Sequence, residues 1–376
     1  MKSLLHELLN HKDGKIIRLS INGNTLISES GKSEKLKRTE KEFPNEQEVQ
    51  KNFLKKEWEA LKKGYVLRND NPNIGEPRLH YYVGGGYTGS LSFQGTDKGI
   101  FVYQNVVEAN IWKDQLLLID GQGKLLQSIP LPKQLAWEIA YQEGNQTLYL
   151  DLNHYIYAYN LESQEFENLG ANKSDPSSFI SVGTNRTVFA SFGQLKSLDN
   201  DNKPVFDQTY STVTIKGNTP FAGVVSPDGK KIAFHNKPGE ISILHADNGD
   251  LIAHLKGDFQ MIEKMEFTES GDLLLAQEQY GSWGMLYFDL INNQQITIPG
   301  LEMPEYSKEV SRFCLNADQS KLVLSQRNNV HVFDFKAKKL LHSFRLDHIV
   351  KNCQLKFVNE YLGVRTDYGC FSLYKV

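Results

Sequence analysis

The chain has 376 residues, a net charge of -3, 40% hydrophobic and 11% aromatic content, which excludes a disordered chain and a strongly basic polyanion binder. No stretch approaches the roughly 20 apolar residues of a membrane span. Three cysteines, Cys314, Cys353 and Cys370, are odd in number and form no CxxC pair, which argues against a disulfide scaffold or a zinc site.

The start carries Leu4, Leu5, Leu8 and Leu9, interrupted by His6 and Glu7. It is too short and polar for a signal segment, so a cytoplasmic protein is expected. Residues 1–70 hold a net charge of about +4 and the remainder about -7. Ile17, Leu19 and Ile21 alternate with polar residues, and Asn22-Gly23-Asn24 leads into Leu26 and Ser28. Alternation around Asn-Gly predicts a β-hairpin, because Asn and Gly tolerate the positive φ of a tight turn.

A helix follows. Asn45 can cap it and Glu48 can complete a capping box. Val49, Phe53, Leu54, Trp58 and Leu61 form an apolar stripe at helical spacing, and Gly64 ends it. Trp58 reads as a core residue of that stripe.

Strand, NGN turn, strand, charged strand, FPNEQEV helix and closing KKGYV resemble the WGR domain of poly(ADP-ribose) polymerases and molybdate-regulator-type bacterial proteins, over residues 15–67. In the polymerases the name-giving Trp and Arg contact DNA near a strand end. Here Ser30-Gly31-Lys32 aligns with that motif. Ser30 cannot stack on a base, a contact worth roughly 1–3 kcal/mol, and Lys32 keeps the charge without the guanidinium fork. Charge is what the resemblance leaves for nucleic acid: Arg18, Lys32, Lys35, Lys37 and Arg38, interleaved with Glu29, Glu34, Glu40 and Glu42. Alternating signs more often mark a solvated face.

Residues 71–79 are rich in turn formers and read as a linker between a domain at 1–70 and a second at 80–376. Beyond the linker, strands recur in sets of four, clearest from Phe221 and Val310, with others from Trp137, Phe179 and Met265. The ends of the third strands mark the register: Asp120, Asn160, Asp199, His245, Asp289, Asp334 and Tyr374. Four strands per roughly 40–45 residues is the signature of a propeller blade. Seven marks suggest seven blades, with six or eight also open. VVSPDGKKIAF and VHVFDFKAKKLLHSF resemble WD40-type repeats without the strict Gly-His and Trp-Asp dipeptides. The fold class expected is therefore mainly β: a small α+β WGR-like domain followed by a WD40-like β-propeller. The last blade lacks a fourth strand, which His80-Tyr81-Tyr82-Val83 or Leu91-Ser92-Phe93 must supply to protect the edge.

No catalytic pattern stands out and no cofactor or metal is expected. No histidine pair has ligand spacing, and His235, His245 and His331 fall in or at the ends of strands. Asp199 to Asn202 reads as a polar turn, Gly84-Gly85-Gly86 as an entry loop, and Ser226-Pro227-Asp228-Gly229 as a turn rather than a nucleophile elbow. The function expected is a non-enzymatic, bacterial-type adaptor whose propeller docks a protein partner, with Trp283 of the QYGSWG turn as a contact. The alternatives are a nucleic-acid-binding regulator and an enzyme with its site in the propeller's central pocket.

Overall fold

The computed structural model describes residues 5–84, 90–108, 111–171, 178–191, 193–211, 213, 221–304 and 309–376; Gly85 and Gly86 of the triple glycine lie outside the described residues. The N-terminal part comprises β1 (Leu5–Asn10), β2 (Ile16–Asn22), β3 (Thr25–Lys32), β4 (Lys35–Glu42), α1 (Glu46–Leu61) and β5 (Tyr65–Arg68). The β2–β3 hairpin turns at Gly23, φ +58°, with Asn22 opposite Thr25. At the far end Gly31 takes φ +151°, and a Cβ there would lie 2.3 Å from the Lys35 carbonyl oxygen. Glycine within Ser30-Gly31-Lys32 is thus a packing requirement of the β3–β4 turn.

Helix α1 begins where Asn45 Oδ1 accepts from the Glu48 amide at 2.9 Å, satisfying one of the free amides of the first turn. Its stripe of Val49, Phe53, Trp58 and Leu61 packs on Leu8, Leu19 and Leu26 of the sheet. Each large apolar side chain so buried contributes about 1.5–3 kcal/mol.

After β6 (Pro77–Tyr82), the described residues form six groups of four consecutive antiparallel strands, within 93–130, 136–171, 178–209, 222–256, 261–296 and 312–345. The expected register residues sit at the ends of third strands. Asp120, Asn160, Asp199 and Asp289 each accept two backbone amides of the turn that follows. Short polar side chains recur there because they fold the turn into the outer strand. The same bonds explain Asp199 to Asn202: the Asp199 carboxylate is engaged by backbone, and Asp201 pairs with Lys203 at 3.0 Å.

The last three strands, Cys353–Val358, Tyr361–Thr366 and Cys370–Lys375, gain their fourth partner from β6, with Phe371 opposite Tyr81 and Ser372 opposite His80. Of the two expected closing segments, the first therefore closes the blade. Phe93 of the second lies in the inner strand Phe93–Thr96 of the first blade and meets Phe371 edge-on at 5.1 Å. Val102 and Leu117 complete that seam against Val358 and Leu373.

β6 also pairs with β5, so the closing blade and the N-terminal strands form one nine-stranded sheet. The stretch expected as a linker is pinned to the chain's last strand: the Gly75 amide donates to the Lys375 carbonyl at 2.8 Å, and the Lys375 amide to the Glu76 carbonyl at 3.2 Å. Its residues from Pro77 onward are already strand.

Candidate functional site

Each blade is an antiparallel meander, so its second-to-third loop and its connection to the next blade emerge on one face. Large side chains exposed on that face include Trp137 at 37% exposure, Trp283 at 40%, Tyr368 at 45% and Val350 at 72%. An exposed aromatic on a rigid loop is the common anchor of an interface.

The Trp283 loop is built with care. The buried Glu278 carboxylate accepts from the Ser282 amide at 2.6 Å, the Ser282 hydroxyl at 2.6 Å and the Gln260 amide at 2.7 Å. A Cβ on Gly281 would meet Glu278 Oε1 at 1.7 Å, so a larger residue there must push the carboxylate off its donors. Trp283 takes φ +57°, its carbonyl accepts from the Val310 amide at 2.6 Å, and its ring lies 5.4 Å from that of Tyr280.

At the closing blade the same face runs into a groove of about 1020 Å³ beside α1. Gln47, Lys51, Leu54 and Trp58 line its helical wall, since residues three or four apart share a helix face. His348 and Tyr368 line the other. Trp58 packs against Tyr368 at 4.5 Å, His348 at 5.1 Å and Tyr82 at 5.3 Å. The Trp58 ring thus joins the core expected for it to a groove that the helical stripe did not reveal.

Beneath the groove sits a buried polar cluster that sequence spacing concealed. Glu57 has no exposed surface. Its Oε2 contacts His6 Nδ1, and its Oε1 accepts from His348 Nε2 at 2.7 Å. His80 Nε2 lies 3.9 Å from Glu57 Oε1 and 3.7 Å from Asp347 Oδ2. Burial alone pushes the Glu57 carboxyl up, but the His6 charge and the bonds from His348 and His6 outweigh it and hold the group well below its ordinary value. Burial pulls His6 down; the Glu57 charge prevails and raises it. For His80 burial dominates and lowers the value. These groups are up to 342 residues apart in sequence, from His6 to His348, which is why no motif announced them.

The five cationic residues expected as a nucleic-acid patch fall on two faces. Register places Arg18 opposite Glu29 and Glu29 opposite Arg38. Arg18 pairs with Glu7 at 2.7 Å, and Arg38 with Glu40 at 2.7 Å, so this face is an ionic ladder. Lys35 lies opposite Lys32 and Lys37 opposite Ser30, on the other face. Among the described residues no carboxylate lies within ion-pair distance of Lys32, Lys35 or Lys37. The single shared surface expected for all five is therefore corrected to three lysines, because strand side chains alternate in direction.

The channel at the propeller axis, about 900 Å³, carries Glu138, Glu263, Lys264, Glu266, Arg312 and Lys356. Lys356 contacts Glu138, Arg312 pairs with Glu263 at 2.8 Å and Lys264 with Glu266 at 2.7 Å. These six charges neutralise one another in pairs, and Asp151, which lines the same channel, accepts from the His154 amide at 2.7 Å. His235 and His331 are buried, with His235 Nδ1 hydrogen-bonded to the Glu240 carbonyl at 2.9 Å and His331 Nδ1 to Ser343 Oγ at 2.7 Å; His245 is exposed.

Comparison with solved structures matches this arrangement. A chain of the Mitotic Checkpoint Complex superposes with TM-score 0.62 at 10% identity, over 82% of this chain and 94% of that one. This chain has a WD40-like β-propeller fold. The β-propeller domain of Cps50 (Swd1) from Myceliophteria thermophila matches with TM-score 0.60 at 13% identity, over 79% and 99%. The meiotic recombination protein rec14 of Schizosaccharomyces pombe is 24% identical over 206 residues, 51% of this chain and 66% of that protein. No protein-family model matches this chain. Among the described residues no helix is long and apolar enough to cross a membrane.

Proposed function

We propose that this WD40-like protein is a non-enzymatic scaffold that binds a protein partner on the face carrying Trp137, Trp283, Tyr368 and Val350. The observation that carries the reading is the gathering of these exposed side chains on one face of a rigid propeller, with Trp283 held in place by the Glu278 staple. The paired channel charges favour a scaffold over a central catalytic site. That the structural relatives include a subunit of a named complex agrees with a partner-binding role. We count the ring as seven-bladed, the seventh blade shared by the two chain ends. We read residues 1–70 as a degenerate WGR-like module used as a second contact surface, its sheet continuous with the closing blade through the pairing of β5 with β6.

The test is capture on immobilised protein, followed by reconstitution with the purified partner. A Trp137→Ala, Trp283→Ala double variant is expected to keep its melting temperature and lose the partner. An identical set of captured proteins for both forms overturns the assignment of this face.

A second reading rests on Lys32, Lys35 and Lys37 sharing one face free of acidic partners. It makes the protein a nucleic-acid-binding regulator. Binding to single- or double-stranded DNA or RNA should then fall steeply with salt and vanish on Lys32→Glu, Lys35→Glu, Lys37→Glu. Absence of binding at low salt retires that reading and leaves the scaffold.

A further inference from the structure

We infer that Glu57, His80 and His348 form a structural zinc site that locks the N-terminal module to the closing blade. Glu57 comes from α1, His80 from β6, and His348 from the connection leading into the strand Cys353–Val358. One donor atom of each lies within 4.8 Å of the others, and all three residues are buried. A tetrahedral zinc ion with ligands at about 2.0–2.2 Å needs donors spaced by roughly 3.3 Å. The observed 2.7 Å and 3.9 Å separations from Glu57 Oε1 straddle that value, so side-chain shifts of under about 1 Å would admit the ion.

Two further observations point the same way. His80 Nε2 is fully buried and, like His235 Nε2, has no hydrogen-bond partner. It faces the carboxylates of Glu57 and Asp347. The outer shell is also in place. Ser372 Oγ is hydrogen-bonded to His80 Nδ1 at 2.7 Å, which fixes the ring and leaves Nε2 for the metal. His6 holds the second oxygen of Glu57. Asp347 Oδ2 lies 3.7 Å from His80 Nε2, beside the triad and outside its mutually spaced donors. Two imidazoles and one carboxylate in a buried setting suit zinc better than calcium or magnesium, which demand more oxygens. The absence of any short ligand spacing concealed the set, because its members are separated by 23 and 268 residues in sequence.

The experiment uses the full chain. Metal analysis after purification without chelator is expected to find one zinc per chain. The metal-stripped protein should take up one equivalent of cobalt(II) with the visible absorption of a tetrahedral site, and melt at a lower temperature until zinc is restored. His348→Ala should abolish uptake, whereas the exposed His11→Ala should not. Substoichiometric zinc with no cobalt spectrum means that the cluster is an ion pair only, and overturns the proposal. So does uptake that survives in His348→Ala, which places the metal elsewhere. The wild-type measurement decides even if a variant fails to fold.

Discussion

The six regular blades and the closing blade use the same four-strand unit but finish it differently. In the fourth and sixth blades the outer strands, Leu251–Lys256 and Lys339–Arg345, are mostly exposed, with Leu251, Ile252, Leu340 and Leu341 open to solvent. The outer strand of the closing blade, β6, is largely buried, because β5 extends the sheet past it and α1 covers the join. A regular blade is made by local hairpins. The closing blade forms only when the two ends of the chain meet, so its stability depends on contacts across almost the whole sequence.

The sharpest way to break this contrast is to remove the borrowed strand. A chain starting at residue 85 lacks β6 and leaves Cys370–Lys375 with a bare edge. It should lose cooperative folding and aggregate; a monomer of unchanged melting temperature would mean that the closing blade needs no help. A smaller loss is expected from Glu57→Ala, which strands His6 and His348 without their acceptor. Denaturant unfolding should show about 3–5 kcal/mol of destabilisation, the usual result of breaking a buried ionic pair.

A regular blade supplies the control. His235 lies buried in the fourth blade, and burial pushes its value from 6.5 down to about 4. The folded state keeps it neutral, while the unfolded chain binds a proton below about 6.5. Its contribution is full above that pH and is lost as pH falls from 6.5 towards 4, up to about 3 kcal/mol. His235→Leu should flatten this part of the stability profile, as read by denaturant midpoints across the range. An unchanged slope would show that the imidazole is hydrated in the folded protein. Least affected in stability should be Trp283→Ala, within about 1 kcal/mol, since the ring is 40% exposed. A large drop in melting temperature would make Trp283 a packing residue and weaken the interface reading.

Much of the fold was legible because its determinants are local. Gly23, the Asn45 cap and the Asp and Asn residues closing third strands each act within a few residues of where they stand. The missing strand could be inferred from a count of hairpins. What stayed hidden was non-local. The sequence could not show that β5 extends the closing blade, turning two expected domains joined by a linker into one continuous sheet. Nor could it bring His6, Glu57, His80 and His348 together. The basic patch divided for a geometric reason: residues one apart on a strand point to opposite faces, and a list of cations carries no parity.

Native-state hydrogen exchange tests the central claim most directly, by comparing amides of β1 and β5 with those of β6 and the strand Cys370–Lys375. If the N-terminal module and the closing blade are one cooperative unit, all four strands should open with a common free energy. Early, complete exchange of β1 and β5 beside a protected Cys370–Lys375 would contradict it, and return the module to a separate domain on a tether.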